Sequence, residues 1–600
     1  MAQGGSRSCR EKCKVDELEV EKVSVKYIAC FAALVLPLGA VSAWAQQSAV
    51  ADAVMNGDGV ALRALLQKKT DVNAVQVDGS TALHWAVYRN DVEAADLLLA
   101  AGANVRAETR EGVTPLAMVS QHGQLVMADR LLKAGADARE RGPNGETMVM
   151  YAARSGNADL IRLFVKAGAD VNAREELRGT TALMWAAEQQ NAEAVRALLA
   201  LGADPAAKSG PAGLPQNYFA PRLNVKNVED ARERRKRAAA AGRTYAEQLE
   251  LERKEGLASA GPQARLSADD NNDDVPIVAG LVGSGGGGLT ALVFAAREGD
   301  IASVRALLDA GADVNQTTEY GWTPLLTAIN NRNYGLAALL IERGADVNLA
   351  NKGGWTPLYL ATDNRNIEGG DYPVPKPDRD HLEIIRLLLE KGANPNARIR
   401  DNTLTRTIFT MQWFFEEGAT AFVRAAQSGD TPLMKLLLEF GADPKMATAN
   451  GDTALTAAGG IGWVEGVTYE RSPQENLSAI RMLLDLGLDP NGANNDGRTP
   501  LMGAALKGRN AVVQLLVDRG ARLDTRDRGS RDTERIGSVA AGYLWQALDY
   551  AEGLVRVGVQ SAVAHPETAA LIRKLLMERG LPVPPENRNI LSICVVALCQ

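Results

Sequence analysis

Apolar positions along this chain fall into short, helix-length segments that come in pairs. In the stretch from Asp78 to Thr109, apolar residues three to four positions apart predict one face of a helix, and a second such face follows a break at Asn90. The two faces consist of Leu83, Ala86 and Val87, and then of Val92, Ala95, Leu98 and Leu99. Gly102 is expected to end the second helix in a left-handed conformation. Because neither helix can bury its face alone, the unit is predicted to stack on neighbouring units.

One phrase repeats along the chain. It runs Thr-(Pro/Ala)-Leu, a helix, a break, a second helix ending in Leu-Leu, and then Gly-Ala followed by Asp or Asn, with looser matches at Thr147 and Thr420. Its threonines are Thr81, Thr114, Thr147, Thr181, Thr290, Thr323, Thr356, Thr420, Thr453 and Thr499. Where the phrase is uninterrupted, 33 or 34 residues separate consecutive threonines. A fixed period of this length predicts an array of stacked repeats.

The period and the phrase resemble those of the ankyrin repeat family, whose period is 33 residues and whose signature contains T-P-L-H. The closing loop of that family is matched at residues 102–105, 168–172, 311–315 and 344–348. The resemblance implies an all-α repeat solenoid of about twelve helix-turn-helix units with β-hairpin loops, in two stacks. Divergent first and last units are expected at 48–75 and 543–584. His84 occupies the signature histidine, which in this family bonds between repeats.

Departures from the period divide the chain and locate its insertions. The expected parts are a signal peptide with an extended N-terminal region (1–45), N-terminal repeats (46–208), a linker (209–288), C-terminal repeats (289–586) and an apolar, cysteine-containing tail (587–600). Insertions within the C-terminal repeats are expected at 367–380, 399–418 and 461–476. The linker has flexible ends and a charged middle with the basic cluster Arg232–Arg237. It is either a solvated helical tether or a docking peptide.

The N-terminal sequence predicts export. Residues 27–41 form an apolar run after Lys26, and Ala43-Trp44-Ala45 after it is an A-x-A cleavage site. The run is shorter than the roughly 20 residues that span a bilayer, and a retained N-terminal anchor is the alternative. No thiol lies between Cys30 and Cys594, which suits an oxidising compartment. We therefore expect a periplasmic or secreted protein without membrane attachment after signal cleavage.

Composition narrows the classes of function. With 66 Lys and Arg against 73 Asp and Glu, the net charge of −7 disfavours nucleic acid as a partner. The 4 histidines share no ligand spacing, and no phosphate-loop, metalloprotease or nucleophile-elbow motif occurs, so we expect no catalytic, metal-binding or cofactor-binding residues. In the tail, Cys594 and Cys599 lack the C-x-x-C-H spacing of haem attachment. They are either a candidate disulfide or part of a chain that has lost a following domain.

The resemblance also implies where a partner binds, namely a concave groove of hairpin tips and inner helices. The positions carried over are Trp322, Trp355, Tyr88, Arg89, Arg154, Arg297, Glu298, Asn330 and Asn331, together with the other tip residues Ser80, Val113, Glu146, Thr180, Asp452 and Arg498. The alternative for Trp322 and Trp355 is that each covers the apolar surface of its own hairpin. Trp185 is expected to pack within its repeat. A second candidate hot spot is the insertion segment Trp413, Phe414 and Phe415, which either contacts a partner or folds back onto the solenoid.

The sequence thus favours a non-catalytic scaffold that binds a protein partner outside the cytoplasm. One alternative is an accessory protein that stabilises or inhibits an exported enzyme. Another is the remnant of a longer chain whose redox domain is missing. The identity of the partner is not encoded in the fold.

Overall fold

The computed structural model describes residues 48–210, 287–366, 376–400, 417–463, 470–529, 544–556, 563–586 and 593–594, together with a few residues between 237 and 254. In this part of the chain the helices form consecutive pairs. The first helices of the pairs, called inner helices, are α1 (Ala49–Met55), α3 (Ala82–Tyr88), α5 (Pro115–His122), α7 (Met148–Ser155), α9 (Ala182–Glu188), α11 (Ala291–Glu298), α13 (Pro324–Asn330), α15 (Pro357–Arg365), α17 (Ala421–Gln427), α19 (Ala454–Gly459), α21 (Pro500–Leu506) and α23 (Ala547–Ala551).

The second helices of the pairs, called outer helices, follow each inner helix after a short break. They are α2 (Gly59–Gln67), α4 (Val92–Ala100), α6 (Leu125–Lys133), α8 (Ala158–Lys166), α10 (Ala192–Ala200), α12 (Ile301–Asp309), α14 (Tyr334–Glu342), α16 (His381–Glu390), α18 (Thr431–Glu439), α20 (Pro473–Asp485), α22 (Asn510–Asp518) and α24 (Pro566–Glu578). Two short strands, β1 (Val555–Arg556) and β2 (Ile593–Cys594), pair in parallel.

Each inner helix contacts its own outer helix and the inner helices before and after it. The core is therefore a continuous layer between the two rows of helices, and no unit carries a core of its own. In the unit chosen above, Leu83, Ala86 and Val87 are fully buried, as are Ala95 and Leu98. This arrangement confirms the predicted all-α repeat solenoid.

The repeat threonines begin the inner helices because their hydroxyl groups satisfy a free backbone N–H in the first turn. The hydroxyl accepts from the N–H three residues later at Thr114, Thr147, Thr181, Thr290, Thr323, Thr356, Thr420 and Thr453. The outer helices end before glycines such as Gly102, whose φ of 88° is left-handed as predicted.

In the first full repeat, a histidine, His84, stands three residues after the threonine that begins the inner helix. The backbone N–H of Thr81 donates to Nδ1 of His84 at 3.1 Å, so Nε2 carries the proton and donates to the carbonyl of Val113 at 3.1 Å. Val113 belongs to the next hairpin, and the interaction between repeats expected for His84 is therefore present. Burial lowers the pKa of His84, which favours this neutral form.

Asparagines in the closing loops join each repeat to the next. Asn315 donates from Nδ2 to the carbonyl of Gly344 at 3.2 Å, and its Oδ1 accepts from the N–H of Asp346 at 2.8 Å. The same pair of bonds is made by Asn73, Asn172, Asn348, Asn396 and Asn491. Each amide thus satisfies one carbonyl and one N–H of the following loop, where backbone groups would otherwise lack partners.

The repeats on either side of the long insertion are direct neighbours. Inner helix α9 packs against α11, and outer helix α10 packs against α12. The N–H of Ser209 donates to the carbonyl of Leu289 at 2.8 Å, and that of Gly210 donates to the carbonyl of Arg178. The insertion leaves and returns at a hairpin tip and so does not separate the helices. The expectation of two stacks is corrected to one continuous stack of the described helices.

The described ends of two shorter insertions fold back onto the solenoid. Asp378 accepts hydrogen bonds from the N–H groups of Tyr334 and Gly335 at the start of α14. Near the third insertion, Glu470 pairs with Lys507 and Arg509, both at 2.6 Å. Among the described residues, no helix combines the length and the apolar character needed to cross a membrane.

Candidate protein-binding face

The last turns of the inner helices and the hairpin tips form one surface, here called the inner-helix face. For Trp322 and Trp355 the sequence left two alternatives, contact with a partner or cover of their own hairpins. The structure favours the second, because the two residues are only 5% and 0% exposed and belong to the core. The ring of Trp355 meets Tyr359 edge-to-face at 4.9 Å. Both indoles thus cover apolar surface within the stack. We therefore correct the prediction that these tryptophans contact a partner.

The aromatic surface lies instead on the earlier repeats. Tyr88 is 61% exposed and stands between Trp85 and His122, at ring distances of 5.7 and 6.3 Å. Arg89 beside it is exposed and donates to the carbonyl of Met55. Tyrosine and arginine are enriched at interface hot spots. The structure thus brings these two predicted residues together on an accessible surface.

Further along the same face, Arg154 lies over the ring of Trp185 at 6.0 Å. Trp185 is half-buried, and its indole N–H donates to the hydroxyl of Thr180 at 2.8 Å. Its ring also meets Tyr151 edge-to-face at 6.1 Å. Trp185 packs partly within its repeat, but one side remains available on the face.

Arg297 and Glu298 join the repeats across the long insertion. Arg297 pairs with Glu188 at 3.0 Å and with Glu298 at 2.7 Å, while its guanidinium lies 5.1 Å from the ring of Phe294. Burial opposes the charge of Arg297, but the two carboxylates outweigh it and raise its pKa. Asn330 and Asn331 are half-buried at the end of α13, apart from this group, and Asn331 donates to the carbonyl of Thr327 in its own helix.

A cavity of about 210 Å³ opens at the junction of α9 and α11. It is lined by Glu146, Glu175, Leu177, Arg178, Thr180, Met184, Trp185, Glu188 and Phe294. Sequence reasoning identified only the tip positions Glu146 and Thr180 among these residues. The others were missed because Phe294 lies more than 100 residues from Trp185 and beyond the insertion.

Two carboxylates of the cavity are held by neutral donors. Glu175 accepts from the N–H groups of Leu177, Arg178 and Thr180 and from the hydroxyl of Thr180. Glu146 accepts from the N–H and the side-chain amide of Asn144. Burial raises the pKa of both groups, but these hydrogen bonds prevail and leave each pKa below its ordinary value. Both carboxylates are therefore ionised at neutral pH.

Several predicted residues lie outside the described residues. They are Trp413, Phe414 and Phe415 in the second insertion and Cys599 in the tail, while Cys594 lies in β2 without a described side chain. The insertion hot spot and the disulfide therefore stay predictions. Within the described ranges, no group of His, Cys, Asp and Glu side chains is arranged to hold a metal ion.

The fold identifies the chain as a helical repeat protein, in which stacked inner helices and hairpin tips form one extended surface. The sequence matches the family model for ankyrin repeats (3 copies) over residues 50–141, 119–209, 267–351, 292–399 and 422–527. These matches cover more than half of the chain, and the chain belongs to the ankyrin repeat family. Ankyrin repeats generally mediate protein–protein interactions. The comparison with curated proteins found no match.

Proposed function

We propose that this protein is a non-catalytic scaffold, exported to the periplasm or the cell exterior, that binds a protein partner on its inner-helix face. The observation that carries the proposal is the row of accessible aromatic and arginine side chains between α3 and α11. Tyr88 of α3, Arg154 of α7 and Trp185 of α9 lie along this row, with His122 of α5 between the first two, and Arg297 extends it. Residues of these types at one surface supply most of the binding energy in protein interfaces.

The solenoid suits such binding because it is ordered before the partner arrives. The capping threonines and the bridging asparagines fix each tip relative to the next, for example through Asn172 and Asp204. A surface that is already rigid loses little conformational entropy on association. A partner therefore meets a preformed face.

The proposed export rests on the sequence from Tyr27 to Ala45 and on the distribution of the cysteines. Fractionation of the source cell should recover the protein outside the cytoplasm with Gln46 as its N-terminal residue. Recovery in the cytoplasm with residues 1–45 intact would contradict export.

The binding face is tested by affinity capture of residues 46–600 from the exported fraction, followed by measurement of the affinity for the captured protein. Tyr88→Ala/Arg154→Ala removes two hot-spot side chains, and we expect the affinity to fall roughly 100-fold. The control Val126→Ala/Arg162→Ala removes exposed side chains of the outer helices α6 and α8 and should bind like the wild type.

Equal binding by the two double variants would overturn the proposed face. The stoichiometry of the complex then separates scaffold from accessory protein. Several partners bound at once support a scaffold, whereas a single tight one-to-one complex with an exported enzyme supports the accessory role.

A further inference from the structure

The cavity between α9 and α11 has the dimensions of one side chain. Its volume of about 210 Å³ is below the roughly 300–1,000 Å³ of pockets that hold small molecules. Leu177 at its edge is 72% exposed, so the cavity is open to a partner on the inner-helix face. A protruding side chain of another protein fits this space better than a free metabolite does.

The walls of the cavity are acidic. Glu146, Glu175 and Glu188 line it, against Arg178 as the basic lining residue. Glu188 is paired with Arg297. In the described part of the chain, Glu146 and Glu175 form no ion pair and accept hydrogen bonds from neutral groups. Neither carboxylate therefore has a cation as partner. The four donors on Glu175 use its lone pairs, whereas Glu146 can still accept a hydrogen bond from a cation.

The apolar lining of the cavity includes the aromatic rings of Trp185 and Phe294, and each ring already contacts a guanidinium group of this chain. Arg297 lies over Phe294 while it donates to Glu188, and Arg154 lies over the ring of Trp185. Arg297 thus combines a ring face with a carboxylate of the cavity wall. Arg297 is neutralised by its two carboxylates, which leaves the cavity negative despite the nearby cations.

We propose that the cavity formed by Glu146, Glu175, Trp185 and Phe294 receives one arginine side chain of the protein partner. This inference rests on the proposed function, since it names the chemistry of the partner. Arginine fits better than lysine because its planar guanidinium can stack on an aromatic ring while it donates to a carboxylate, here that of Glu146. The arginine anchors the partner at the centre of the row between Tyr88 and Arg297.

A basic segment of this same chain is the competing occupant. The insertion starts at the cavity rim, where the N–H of Gly210 donates to the carbonyl of Arg178, and its sequence contains the cluster Arg232–Arg237. A tethered segment competes at a high effective concentration. The experiment therefore includes a variant in which this cluster is replaced by glutamine and serine.

The test uses the full chain labelled with 5-fluorotryptophan and followed by fluorine NMR. The Trp185 signal is assigned by its loss in Trp185→Phe. N-acetylarginine amide is titrated against N-acetylcitrulline amide, which has the same shape without the charge. We expect a saturable shift of the Trp185 signal with the arginine probe and binding about 10-fold or more weaker with the citrulline probe.

Two charge-removing variants test whether the carboxylate of Glu146 contributes to binding of the arginine probe. Glu146→Gln removes the charge and keeps one of the two oxygens that accept from Asn144, and we expect it to weaken binding of the arginine probe about 10-fold. Glu193→Gln makes the same change on the outer helix α10, where Glu193 pairs with Arg196, and should leave the titration unchanged. The thermal unfolding midpoints of both variants establish that they are folded.

The outcomes separate this inference from the proposed function. A shift that is equal for both probes, absent, or unaffected by Glu146→Gln overturns the arginine site, even if a partner is captured on the face. Binding that requires replacement of Arg232–Arg237 also overturns it, because the chain then fills its own cavity. Selective arginine binding without any captured partner supports the site while the scaffold proposal fails.

Discussion

Single residues decide which repeat contacts are polar and which are apolar. In the C-terminal repeats, buried tips carry charged or amide side chains, and Asp452 is one of them. Its carboxylate accepts from Asn450 and Asn494 at 3.1 and 2.8 Å. Burial raises the pKa of Asp452 to about 6, and these hydrogen bonds offset the shift only in part.

The raised pKa predicts a pH-dependent stability with a defined sign. Between pH 4 and 6 the folded chain keeps a proton on Asp452 that the unfolded chain has released, so the free energy of unfolding falls as pH rises. Compared with Asp452→Asn, the wild type should lose about 2 kcal/mol between pH 4 and pH 7, measured by urea unfolding.

The variant Asp137→Asn serves as a contrast, because the pKa of Asp137 is shifted in the opposite direction to that of Asp452. Hydrogen bonds from Arg139 lower the pKa of Asp137, so its contribution is lost as pH falls rather than gained. If Asp452→Asn leaves the pH profile of the wild type unchanged, Asp452 does not retain its proton in the folded chain.

At the scale of elements, buried ion pairs fasten the insertions to the stack. Asp430, which begins α18, is fully buried and pairs with Arg365 of α15 at 2.7 Å and with Arg471, near the third insertion, at 3.2 Å. It also accepts from the N–H of Leu433. One carboxylate thus holds two repeats and an insertion end together.

Removing that carboxylate leaves two guanidinium groups without their partner. Asp430→Ala is expected to cost about 3–5 kcal/mol in the free energy of unfolding, because a buried ion pair has lost one member. The control Asp129→Ala breaks an exposed pair with Lys133 and should cost less than about 1 kcal/mol. Similar costs for the two variants in urea unfolding would refute a fastening role.

Contacts between residues close in the sequence could be predicted from it, whereas contacts between distant residues could not. Thr114 and Asn315 act within their own repeat or on the next, so a 33-residue pattern was enough to predict capping and stacking. The burial of Trp355 depends on how the next hairpin covers it, and the cavity depends on whether α9 meets α11. Neither follows from the local pattern, since a long insertion is compatible with one stack or with two.

At the scale of the whole molecule, the stack of described helices is continuous although a long insertion interrupts the repeat pattern in the sequence. Ser209 and Leu289 are hydrogen-bonded to each other, so the two ends of the 76-residue segment 211–286 are held close together at the solenoid. Loop closure costs free energy that rises slowly with loop length, by about 0.6 kcal/mol for each doubling.

Replacing residues 211–286 by a four-residue Gly/Ser link is therefore expected to preserve the fold and to stabilise it by about 2 kcal/mol. Circular dichroism and urea unfolding measure the two effects. A Gly/Ser insert of the original length is the control and should unfold like the wild type. Loss of the helical signal in the short-link variant would show that the repeats depend on the insertion.

The contact between Ser209 and Leu289 also determines the path of mechanical force. When the solenoid is pulled from its ends, tension passes through the α9–α11 and α10–α12 contacts and bypasses residues 211–286. Rupture of this one junction then releases about 260 Å of additional chain in a single step. The position of the junction therefore determines where along the stack the largest single extension under force arises.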